Sequence, residues 1–220
     1  MKPDLLRRSA AEFTGTLFLL AAVVGSGIMA ERLAAGNVAL ALLANTLTTG
    51  AALVALILAF GPVSGAHFNP AVTLVDAWLG GIAWREAAAY VFSQMSGAVT
   101  GVVVAHLMFG VSVLSVSTRV RSGAAQTFSE FIATFGLLSV ILGCARSRPS
   151  AVPFAVGAYI TAAYWFTAST SFANPAVTVA RALTDTFSGI RPHDVPAFVA
   201  AQLGAAVAAA LLFQWLTPKC

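Results

Sequence analysis

The sequence predicts an all-α membrane protein of six transmembrane helices plus two re-entrant half-helices, arranged as an inverted repeat. Three observations carry that prediction. Of 220 residues, 59% are hydrophobic and only 9% charged, and the mean hydropathy is +0.87, so polar side chains are too few to coat a soluble globule. Six apolar runs approach the roughly 17 to 25 residues that a bilayer crossing needs. The chain also repeats itself at three places in the same order.

The first expected span covers residues 10 to 30. Lys2, Arg7 and Arg8 ahead of it give the outline of a secretory signal. The apolar stretch is too long for that, lacks a convincing cleavage site and is followed by more of its kind, so it reads as a span that starts inside. Further spans are expected at 38 to 60, 84 to 109, 128 to 145, 151 to 168 and 194 to 216. Two apolar stretches remain, "NPAVTLVDAWLG" from residue 69 and "NPAVTVARALT" from residue 174. A helix of about ten residues at 1.5 Å per residue reaches only halfway through a hydrocarbon layer of about 30 Å, so both read as half-helices.

With that layout Lys2, Arg7, Arg8, Arg85, Arg146, Arg148 and Lys219 fall inside and Arg32, Arg119, Arg121, Arg181 and Arg191 outside. The balance of 7 to 5 weakly favours cytoplasmic N- and C-termini, in what is expected to be a bacterial-type inner membrane. The net charge of +4 is spread singly or in pairs, which gives no patch for nucleic acid. Cys144 and Cys220 show neither metal spacing nor disulfide logic, and no metal or other cofactor is expected.

The repeat sets the topology. "AEFTGTLFLL" from Ala11 resembles "SEFIATFGLL" from Ser129, which pairs Glu12 with Glu130. Asn69-Pro70-Ala71 pairs with Asn174-Pro175-Ala176, and "AYVFSQ" from Ala89 pairs with "AFVAAQ" from Ala197. The chain therefore reads as one channel domain, 1–220, built from halves 1–118 and 119–220. Each half holds three spans, an odd number, so the second enters the membrane from the opposite side and the two half-helices can meet N-terminus to N-terminus at the midplane.

Asn, Pro and Ala suit that meeting point. The first N–H groups of a helix lack internal partners, and an Asn oxygen is among the best acceptors for them. Proline at the next position gives up no useful donor and has its φ already set. Alanine lets two helix ends approach. With the Asn69 and Asn174 oxygens occupied, their amide nitrogens remain as donors, so a passing water or hydroxyl must accept. Two facing dipole ends, each roughly half a positive charge, oppose cations and interrupt a proton wire.

On these residues, together with "AEFTGT", "SGAHFNPAVT" (Ser64 to Thr73) and "SEF" (Ser129 to Phe131), nearly the whole chain resembles the major intrinsic proteins, the aquaporins and aquaglyceroporins. The resemblance implies the aquaporin-like fold, one pore per subunit, a lipid bilayer as surroundings and a homotetramer. It also implies that Glu12 and Glu130 accept backbone N–H groups of the re-entrant loops and that His67 braces a loop or lines the pore. Gly97 and Gly101 are spaced for close helix packing.

The chain departs from the family where most members carry an arginine directly after the second triplet: here that residue is Val177. By distance from the triplets, the other filter positions are Thr49 and Ser171, with Tyr164 on the fifth span, or Ala162 if no gap is introduced. Valine in place of a guanidinium removes five donors and a fixed charge, so the constriction should be wider and less polar. Arg181 lies one helical turn beyond Val177 and belongs to the vestibule; a snorkelled surface arginine is the favoured reading over a replacement charge. Thr178 stands where glycerol-conducting members typically carry aspartate.

The expected function is passive passage of small uncharged solutes: water, glycerol-like polyols and, by resemblance to aquaglyceroporins associated with arsenic resistance, neutral metalloid acids and methylated arsenicals. One alternative is a water-selective pore closed by Tyr164. A proton-coupled secondary transporter is the other, with Glu12 and Glu130 as its only embedded titratable candidates. No nucleophile elbow, phosphate loop or other catalytic set points to an enzyme.

Overall fold

The computed structural model describes residues 3–217; Lys2, Lys219 and Cys220 lie outside them. Eight α-helices follow in order: α1 Leu5–Leu33, α2 Val38–Ser64, α3 Pro70–Trp78, α4 Trp84–Phe109, α5 Ala124–Ser147, α6 Val152–Phe166, α7 Pro175–Ala180 and α8 Val195–Leu216. No strand occurs among the described residues.

Local chemistry sets the helix ends. The Asp4 side chain accepts from Arg7 N at the start of α1, and Asn37 from Leu40 N at the start of α2. Gly65 and Gly110 close α2 and α4 in the left-handed conformation. Five helices, α1, α2, α4, α5 and the segment ending in α8, are each long and apolar enough to cross a bilayer. The expected fifth span differs: α6 has only 15 residues, preceded by a 3₁₀ turn at Pro149–Ala151. Pro149 and Pro153 force that irregular entry, and the chain leaves helix again at Thr167 to form a re-entrant loop.

The half-helices are also shorter than expected, nine residues in α3 and six in α7. After Ala180 the chain tightens into a 3₁₀ turn, Arg181–Leu183, because the returning strand of loop claims its carbonyls: Ile190 N donates to Arg181 O and Ser117 N to Ala182 O.

Packing follows the repeat. α1 packs on α2 and α4 as α5 packs on α6 and α8. Across the halves, α2 lies against α6, α3 against α8, and α7 against α4, so each half-helix is held by the other half's last span. Small residues permit the closest approaches. A Cβ on Gly97 would run into the carbonyl oxygen of Phe13, one on Gly101 into that of Leu17, and Gly50 and Gly157 face each other between α2 and α6. Exposed Leu, Phe, Val and Trp side chains such as Leu47, Phe92 and Leu211 cover the outside, as lipid contact requires.

Candidate functional site

Both re-entrant loops use the same strained backbone. Ala66 and Phe68 precede Asn69 at φ +50° and +49°, and Ser171 and Ala173 precede Asn174 at +51° and +49°. Non-glycine residues in that region cost about 1–3 kcal/mol each and persist only where surroundings over-determine them. A buried carboxylate does so in each half. Glu12 accepts from His67 N (3.0 Å), Phe68 N (2.7 Å), Ser64 Oγ (2.6 Å) and Gln94 Nε2 (2.8 Å). Glu130 accepts from Phe172 N (2.8 Å), Ala173 N (2.9 Å) and Gln202 Nε2 (2.6 Å). Each glutamine reaches on to a half-helix threonine, Gln94 to Thr73 Oγ1 and Gln202 to Thr178 Oγ1, both at 2.8 Å. Thr178 is thus occupied in the brace that repeats Thr73 and faces no open solute path of its own.

The two asparagines cap their half-helices. Asn69 Oδ1 accepts from Ala71 N (2.9 Å); Asn174 Oδ1 accepts from Ala176 N (2.9 Å) and Val177 N (3.3 Å). Pro70 and Pro175 open the helices at their first positions, and Ala71 and Ala176 are fully buried where they meet. The amide nitrogens differ from expectation in one respect. They do not simply point away: Asn69 Nδ2 donates to Ala173 O and Asn174 Nδ2 to Phe68 O, both at 2.8 Å. Left-handed Phe68 and Ala173 turn those carbonyls across the junction, so one N–H of each amide stitches the loops together and one remains.

A cavity of about 580 Å³ is lined by both of these asparagines. At one end it is lined by Asp76, Pro149 and Ser150, at the other by Thr49, Tyr164, Ser171, Val177 and Arg181. His67 lines it between Asp76 and Asn69, its Nδ1 3.1 Å from Thr73 Oγ1 and its Nε2 3.7 Å from Asp76 Oδ2. The ring therefore both braces the loop and faces the cavity.

Of the two alternatives on the fifth span, Tyr164 is the cavity residue: it is 3% exposed and its hydroxyl lies 3.3 Å from Thr49 Oγ1. Ala162 faces the exposed outside of α6, because a helix turns its neighbours two positions away to the opposite side. Ser171 Oγ has no hydrogen-bond partner among the described residues, although Ser171 lines the cavity.

The snorkelled reading of Arg181 is overturned. The side chain is 1% exposed, its Nε donates to Ser188 O, and its guanidinium carbon stacks 3.4 Å from the Phe172 ring centre. The short α7 explains this: the 3₁₀ turn swings residue 181 back beneath the loop that carries Ser188, so its side chain is folded under and not directed outward. Sequence reasoning placed Arg121 among the outside arginines and gave it no role at the site. It lies in the connection before α5, 5.1 Å from the same ring, with Nε donating to Gly189 O (2.8 Å) and Nη1 to Ser169 O (3.2 Å) and Thr170 Oγ1 (3.3 Å). No spacing in the sequence marks it, because the contact spans some fifty residues of chain.

Half-helices braced where they meet, a polar pair of amides and a mostly apolar cavity lined by both halves of the chain fit a passive transmembrane pore. The family model for the major intrinsic proteins matches residues 1–171 and 145–220, and the chain belongs to that family. It is 59% identical to the aquaglyceroporin AqpS of Rhizobium meliloti (strain 1021), over 97% of this chain and 91% of that protein. The aquaporin NIP1-4 of Oryza sativa subsp. japonica is 39% identical over 66% of this chain and 52% of its own length. Among solved structures, the aquaglyceroporin from Plasmodium falciparum superposes with a TM-score of 0.75 at 21% identity, covering 98% of this chain and 96% of that one, which is a likeness of fold.

Proposed function

We propose that the protein is an aquaglyceroporin-like channel in which Thr49, Tyr164, Ser171 and Val177 form the sieve and Asn69 and Asn174 the midplane donors. Water and glycerol-like polyols pass, and neutral metalloid acids and methylated arsenicals with them. The observation that carries this reading is the pair of cross-stitched asparagines beside a continuous cavity: a solute meets one free N–H from each amide and must accept from it. Val177, at the same end of the cavity as Thr49 and Tyr164, stands where most family members carry a narrowing guanidinium, and the guanidinium of that end comes instead from Arg181, four residues further on.

The chain acts as one domain of two inverted halves, 1–118 and 119–220, in a homotetramer in a bacterial inner membrane, termini on the cytoplasmic side. The filter end then faces outward. The 59% identity to an aquaglyceroporin of R. meliloti supports the polyol assignment.

Stopped-flow permeability of proteoliposomes to water, glycerol and a methylated arsenical, native against Val177→Arg, tests the reading. The expected result is a variant that keeps water flux and loses the larger solutes. If both proteins conduct water alone, Tyr164 with its hydroxyl near Thr49 is the closing side chain and the protein is a water channel.

A further inference from the structure

Beside the main cavity, at the Arg181 end, lies a second recess of about 290 Å³. Its lining contains Arg119, Arg121 and Arg181 and no Asp or Glu. Arg181 belongs to both cavities, so the recess is contiguous with the pore mouth.

The three guanidiniums differ in what balances them. Arg119 is paired with Glu31 at 2.6 Å. No carboxylate of the described residues lies within ion-pair distance, 4.0 Å, of the Arg121 or Arg181 guanidinium. The nearby acids are otherwise engaged. Asp194 accepts the Arg121 backbone N–H (2.8 Å) and the Arg191 side chain (2.9 Å), and Glu130 holds its loop. Arg121 spends its donors on carbonyls and one hydroxyl, so no carboxylate pairs with it directly, and Glu130 offsets its charge only from a distance. Arg181 lays one face on Phe172 and donates from Nε, while its buried Nη1 has no partner among the described residues.

A buried guanidinium with an unmet donor is costly, and a second like charge over the same ring raises that cost. An anion with two oxygens offers what the site lacks: acceptors for an in-plane guanidinium edge and a charge to offset two cations. We propose that Arg181 and Arg121 form a docking site for a small monovalent oxyanion at the pore mouth. An oxyanion held there obstructs the path of neutral solutes, because the midplane N–H groups and helix dipoles attract the anion inward while the apolar cavity walls refuse its charge. This inference rests on the channel function above.

Methanesulfonate, a permanently charged oxyanion, is the probe. Added outside phosphatidylcholine proteoliposomes in place of chloride, it slows glycerol flux by roughly twofold at low ionic strength and by much less near 1 M salt, where the Debye length is about 3 Å. Arg181→Gln abolishes the block; Arg7→Gln, a surface charge that lines neither cavity, keeps it. Indifference of the native protein to methanesulfonate overturns the proposal, as does an undiminished block in Arg181→Gln. Should that variant not accumulate, Arg121→Gln and Arg181→Lys replace it, with a weakened block expected in each and an unchanged block overturning the site. A methanesulfonate-dependent rise in melting temperature in detergent without any block in vesicles shows an anion bound away from the solute path and overturns the proposal. Glycerol flux without the anion tests the channel function separately, and water flux takes its place as readout if glycerol does not pass.

Discussion

Replacing Glu12 by Gln separates a brace from a proton relay. The carboxylate accepts four hydrogen bonds, two at Oε1 from Ser64 and His67 and two at Oε2 from Phe68 and Gln94. A glutamine keeps one oxygen and turns an NH₂ group toward the other two donors. Two charge-assisted bonds at about 1.5–3 kcal/mol each are lost, a gross cost of about 3–6 kcal/mol. A neutral amide is easier to bury, which offsets part of that, so a net loss of about 2–4 kcal/mol is expected. The loss falls on the loop that holds Ala66 and Phe68 at positive φ, so flux should fall along with stability. Unfolding in mixed SDS and maltoside micelles reads the first and stopped-flow glycerol flux the second. A variant of native stability whose flux loses only its response to a pH gradient would refute the brace and move the protein to the proton-coupled transporters.

Three further outcomes follow from the packing. Gly101→Val drives a side chain into the Leu17 carbonyl, which backbone constraints prevent from yielding, and should cost about 1–3 kcal/mol in the same unfolding assay. Tyr164→Ala should raise glycerol flux severalfold at a cost of about 2–4 kcal/mol in stability, since the ring is buried in a hydrophobic cluster, whereas Tyr164→Phe, which loses only a 3.3 Å contact to Thr49, should stay near native. Asn174→Ala removes the cap on two N–H groups and the stitch to Phe68 O, a loss of about 2–3 kcal/mol from a cap of about 1–2 and a hydrogen bond of about 1, and proton leak through liposomes should increase.

The half-helices were legible because Asn-Pro-Ala states its conformation locally: cap, preset φ and small residue follow each other within three positions. Glu12 and Glu130 were legible because a carboxylate in an apolar run demands donors and the matched loops supply them. What escaped the sequence is tertiary. The shortness of α7 is set by loop carbonyls that capture the chain at Arg181 and Ala182, and neither propensity nor hydropathy carries that information. With the 3₁₀ turn unforeseen, Arg181 was assigned the outward direction an uninterrupted helix would give it. The role of Arg121 at the site was invisible for the same reason, since its partners come from 48 to 68 positions further along the chain.

The absence of an arginine at position 177 raises the question of what keeps cations out, and the geometry gives an answer in two stages. At the midplane α3 and α7 meet by their N-termini, with the Asn69 and Asn174 amides donating across the junction. A cation there faces two positive dipole ends, and the Phe68 and Ala173 carbonyls already accept from the two amides, a barrier that owes nothing to the filter. Toward the filter end, Arg181 and Arg121 keep positive charge within the mouth although neither occupies the usual position. Moving the charge from the constriction wall into a side recess separates two properties that one arginine joins elsewhere in the family: the sieve is free to be wide, and the mouth is still positive. On this argument Val177→Ala should widen solute selection without admitting sodium, while Arg181→Gln combined with Val177→Ala should admit it only if the midplane barrier alone is too low. Reversal potentials under a sodium gradient distinguish the two, and sodium conductance in Val177→Ala alone would contradict the division of labour between sieve and charge.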